Sequence, residues 1–68
     1  MKINWSNLSL NPNAIDLLQA NPHMINWKKL SANPNAITLL EHNKDKIDWE
    51  MLSENPSTDA IKLLEERI

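Results

Sequence analysis

The chain has 68 residues, 41% of them hydrophobic, with three aromatics that are all tryptophan, no cysteine and no glycine. That length supports one small core, so a second domain and disulfide staples are excluded, and regular helix packing or self-association has to supply the stability. Nine acidic against seven basic residues leave a formal charge of −2, which argues against nucleic acid or an anionic membrane as partner, and no run approaches the roughly 20 apolar residues of a membrane span.

From the N-terminus the first element is short. Asn4 stands where an N-cap is wanted, and Trp5 and Leu8, three apart, share one face of a helix of one to two turns that ends at Ser9. Asn11-Pro12 then opens a longer helix of about ten residues, with asparagine as cap and proline in the first turn. At 100° per residue Ala14, Ile15, Leu17 and Leu18 fall within an arc of about 160°, an amphipathic stripe. The helix is expected to stop at Asn21, where asparagine takes the left-handed position usually filled by glycine, and Pro22 forbids continuation.

The same elements then recur. Ile3, Ile25 and Ile47 begin blocks at residues 3–24, 25–46 and 47–68, and the first two blocks share 13 of 22 positions. The third keeps Trp49, Leu52, Ser53, Asn55 and Pro56 in register, then carries two extra residues before Ala60, Ile61, Leu63 and Leu64. Self-similarity at a fixed period marks an array in which each unit buries its apolar face only against its neighbours. The expected fold is therefore all-α: a miniature helical-repeat solenoid in one domain, residues 1–68, of three 22-residue repeats, each a short helix plus a longer one. The expected core is Ile3, Trp5, Leu8, Ile15 and Leu18 in the first block, Ile25, Trp27, Leu30, Ile37 and Leu40 in the second, and Ile47, Trp49, Leu52, Ile61 and Leu64 in the third.

The pattern Ile, Asp/Asn, Trp, two variable residues, Leu-Ser, one variable residue, Asn-Pro, then Ala-Ile and Leu-Leu resembles the short tandem repeats of uncharacterised giant DNA virus proteins. The resemblance covers residues 3 to 66. It implies helical repeats and brings no activity, and it allows for a fragment of a longer array or an engineered minimal one. The expected location is the cytoplasm, that of the host if the source is viral.

Chemistry is sparsely provided. His23 and His42 lack a third ligand and read as solvated surface, and Glu65 and Glu66, adjacent on a helix, point about 100° apart. Ser9, Ser31 and Ser53 recur, whereas a nucleophile is needed once; a small hydroxyl ending each short helix is expected where a backbone group needs a partner. Lys28, Lys29, Lys44 and Lys46 are interleaved with Glu41, Asp45, Asp48 and Glu50, a mixed-charge face rather than a phosphate-binding patch. No catalytic, cofactor-binding or metal-ligating residue is assigned, and an enzyme is not expected. The expected function is a non-catalytic scaffold for protein–protein interaction, with Lys28, Lys29, Glu50 and Met51 on the short helices as candidate partner surface. The alternative is a structural self-assembling module. Neither end carries a polar capping repeat, and Ile3, Trp5, Leu63, Leu64 and Ile68 lie close to the two ends.

Overall fold

The computed structural model describes residues 2–67. Six α-helices are present among them: α1 (Trp5–Leu10), α2 (Ile15–Ala20), α3 (Trp27–Leu30), α4 (Ile37–Glu41), α5 (Trp49–Leu52) and α6 (Thr58–Arg67), with 3₁₀ turns at Pro22–Met24 and Lys44–Lys46. No strand occurs among the described residues, and the molecule measures 42 × 20 × 18 Å. Ile68 lies outside the described residues.

The short helices start as their capping residues dictate. Asn4, Asn26 and Asp48 hold extended backbone, and their side chains accept from Asn7, Lys29 and Met51 N–H groups. Each satisfies one of the donors that a helix start leaves open. Helices this short have little stability alone. They persist because Leu30 and Leu52 are fully buried and Trp5, Leu8, Trp27 and Trp49 pack half-buried against the same core.

The longer helices depart from expectation at both ends. Instead of capping a helix directly, Asn11 and Asn33 turn their Oδ1 atoms onto the N–H two residues on, at 2.9 Å from Asn13 and 3.0 Å from Asn35. Their carbonyls accept from Ala14 and Ala36 N–H at 3.1 Å. This side-chain turn competes with helix geometry, and proline suits its second position, so α2 and α4 begin only at Ile15 and Ile37 and contain 6 and 5 residues. In the third block the two extra residues let Ser57 start a helix of 10 residues.

At the C-terminal end of α2, Asn21 is not left-handed. Its φ of −135° and ψ of 60°, and the −139° and 48° of Asn43, lie in ordinary space, and no residue with positive φ occurs among those described. The helix end is satisfied by side chain instead: Asn21 and Asn43 amides donate to Leu17 and Leu39 carbonyls, both at 2.9 Å. The cost of a left-handed residue with a Cβ is thereby avoided.

Two expected core residues are not buried. Ile3 is 51% exposed and Ile61 52%, whereas Ile25 and Ile47 are 8% exposed and Ile37 6%. Both lie in the outer blocks of the sequence, where the cover that the middle block's copies have is missing among the described residues. Of the isoleucines that begin the blocks, Ile25 and Ile47 are covered and only Ile3, in the first block, is open. Of the helix isoleucines, Ile37 is buried and only Ile61, in the third block, is exposed. Leu17 and Leu63 show the reverse order, 43% and 3% exposed. Ile15 and Leu64 are half-buried, Leu18 and Leu40 fully buried. Ala14, Ala36 and Ala60, small enough for close helix approach, complete the core.

Candidate interaction surface

Four polar side chains lie inside this apolar core: Ser9, Ser31, Asn33 and Asn55. Burial of a polar group is costly unless it is hydrogen-bonded, and each of these is bonded across the boundary between blocks. Ser9 Oγ donates to the Trp5 carbonyl at 2.7 Å and accepts the Asn26 N–H at 3.0 Å; Ser31 Oγ donates to Trp27 O at 2.8 Å and accepts the Asp48 N–H at 2.9 Å. The Asn33 amide donates to the Ser9 and Asn11 carbonyls, both at 3.0 Å. The Asn55 amide repeats this on Ser31 O at 3.0 Å and Asn33 O at 2.9 Å. One asparagine therefore grips two carbonyls of the block before it with its nitrogen and shapes its own turn with its oxygen. No buried side-chain nitrogen or oxygen among the described residues lacks a partner.

The recurring serine was expected to meet a backbone group that needs a partner, and it does so. Of the recurring asparagines read as helix caps, Asn33 and Asn55 act instead as ties between blocks, and Asn11 shapes only its own turn. The signal that could have identified them is that they precede a proline turn and recur without any Asp or Ser replacement, since a carboxylate cannot donate and a hydroxyl has one hydrogen, whereas an amide offers two donors beside its acceptor.

The surface residues stand apart from this network. Lys28 and Glu50 are exposed and Lys29 and Met51 half-buried, on α3 and α5, and the three charged side chains among them make no ion pair among the described residues. Lys44 Nζ lies 3.7 Å from Glu66 Oε1 on the open surface, where such a pair contributes little. Lys46 Nζ stands 5.3 Å from the Trp27 ring centroid. A shallow open hollow lies between Lys44, Trp49, Leu63 and Glu66. Ser6, at a variable position, is used: its Oγ accepts the Asn26 amide at 3.1 Å. His23 is exposed in the first 3₁₀ turn, and His42 Nδ1 donates to Thr38 O at 2.9 Å, so the second histidine is occupied in ending α4. No group of three His, Cys, Asp or Glu among the described residues is placed to hold a metal ion, and no helix is long and apolar enough to cross a membrane.

Compared with models of protein families, with curated proteins and with solved structures, the chain matches none.

Proposed function

We propose that the three blocks form a short solenoid and that the chain is a non-catalytic scaffold for protein–protein contact. The observation that supports this reading is the division of labour among its polar residues. Ser9, Ser31, Asn33 and Asn55, which recur, are engaged in joining block to block, while Lys28 and Glu50, which vary, stand in solvent. In such an array the repeated residues build the frame and the variable ones give one side its identity. Its mechanism is display: a frame held by buried ties presents α3 and α5 side chains in a fixed relation. We place it in the cytoplasm, that of the host if its likeness to giant-virus repeats reflects its source, and with neither nucleic acid nor membrane as partner.

The test is capture of proteins on the immobilised chain, compared with the double substitution Lys28→Glu and Lys29→Glu. Proteins retained by the unaltered chain and lost from the variant, at equal far-ultraviolet helical signal, support the reading. Identical capture by both would remove the side face from consideration.

A further inference from the structure

We infer that the two ends of this chain are the two halves of one joint, so that the C-terminal end of one copy docks on the N-terminal end of a second copy. The joint is already drawn twice inside the chain. In each case a backbone N–H meets the serine hydroxyl 17 residues earlier, and an asparagine amide meets carbonyls 24 and 22 residues earlier. Each end of the molecule carries one unmatched half of that pattern.

At the N-terminal end, Asn11 uses its Oδ1 on Asn13 N–H as Asn33 does on Asn35, but its amide nitrogen has no partner among the described residues and the residue is exposed. In the same block Ile3 and Leu17 are exposed where their counterparts Ile47 and Leu63 are covered. At the C-terminal end Ser53 donates to Trp49 O at 3.0 Å just as Ser9 and Ser31 do to their own tryptophans, yet it is exposed whereas they are fully buried. Ile61 is open on the same block. The ends thus differ from the interior in what covers them and agree with it in how they are shaped.

The occupant follows from continuity with the internal joints. An amide held in this turn meets two carbonyls spaced as Ser-x-Asn, and the pair not taken by an amide among the described residues belongs to Ser53 and Asn55. Docked in the same register, Asn11 of one copy donates to Ser53 and Asn55 carbonyls of the other, and the Asn4 N–H meets the Ser53 hydroxyl. The Asn13 amide meets the Pro56 carbonyl, as Asn35 meets Pro12 at 2.8 Å. The two extra residues of the third block follow Pro56, so they leave these acceptors in place. Ile3 and Leu17 come under cover together with Ile61. Because the ends are different surfaces, the contact is head to tail, and each added copy presents a fresh end. The inference concerns the ends and stands independently of the side face formed by Lys28 and Lys29.

The experiment is sedimentation of the full chain over a concentration range up to about 1 mM, alongside two surface variants whose folding is checked by their helical signal. Asn11→Asp keeps the oxygen that Asn13 needs but sets a carboxylate against two carbonyls, blocking the N-terminal end. Ile61→Lys blocks the C-terminal end. The unaltered chain is expected to form a concentration-dependent ladder above 7.8 kDa, and each variant alone should associate roughly tenfold or more weakly. Mixed in equal amounts, the variants should recover dimers and nothing larger, since each contributes the half the other lacks. A chain that stays monomeric throughout, association that survives Asn11→Asp, or a mixture that yields no dimer would each overturn the inference. The Lys28→Glu, Lys29→Glu double variant should assemble like the unaltered chain, which separates this result from that of the capture experiment.

Discussion

Asn33 and Asn11 are the same residue in the same local turn, and they should differ sharply in what they contribute. Removing the Asn33 amide leaves the Ser9 and Asn11 carbonyls short of a donor in a buried place and frees the Asn35 N–H. Stranding buried polar groups costs about 1 to 3 kcal/mol each, so Asn33→Ala is expected to destabilise by about 2 to 4 kcal/mol. Asn11→Ala loses one exposed bond to Asn13 and should cost below about 1 kcal/mol. Urea unfolding of the two variants checks this; equal midpoints would mean that the amide ties carry no weight. The serines offer the same comparison. Ser31→Ala strands the Asp48 N–H and should cost about 1 to 2 kcal/mol, and Ser53→Ala close to nothing. At this scale the sequence made the serine role legible, because a hydroxyl bonding the carbonyl four residues back is a local habit. It did not reveal the asparagine role, because the amide's partners lie 22 and 24 residues away.

Among the elements, the short helices were the more readable. Their caps act over three residues, and Asn4, Asn26 and Asp48 each accept from the expected N–H. Asp48→Ala should cost about 1 kcal/mol by thermal unfolding. The longer helices were misjudged because Asn-Pro satisfies two different local structures, a cap and a side-chain turn, and the turn prevails at Asn11 and Asn33 alike, whether or not the amide is held by another block. In the third block two more residues tip the balance to a helix of full length. The tryptophans anchor the short helices while keeping an exposed edge. Trp27 is half-buried with Lys46 5.3 Å over its ring, so Trp27→Ala should cost about 2 to 4 kcal/mol, less than for a fully buried ring. An unchanged melting temperature in that variant would contradict the packing of α3 on the core.

For the whole molecule, stability is expected to be greatest where blocks meet. The Asn26 and Asp48 N–H groups donate across those boundaries to buried serine hydroxyls. In native-state hydrogen exchange they should open only with global unfolding, more slowly than α1 amides at the end of the molecule. Fast exchange at both would show that the boundaries are loose. The open Lys44–Glu66 pair does not brace the molecule, and Glu66→Lys should change stability by less than about 0.5 kcal/mol.

The sequence by itself determined the helical class, the period of the blocks and the starts of the short helices, since periodicity and capping operate within a few residues of one another. Lys28 and Glu50 were also legible as surface, because they vary between blocks while Trp and Leu beside them do not. Only the tertiary structure decided which copies of a repeated residue are covered. Ile3 and Ile47, Asn11 and Asn33, Ser53 and Ser31 are indistinguishable by local pattern and opposite in burial. The reason is that burial belongs to the neighbour, which lies many residues away in sequence, and among the described residues Ile3, Asn11 and Ser53 meet none where Ile47, Asn33 and Ser31 do.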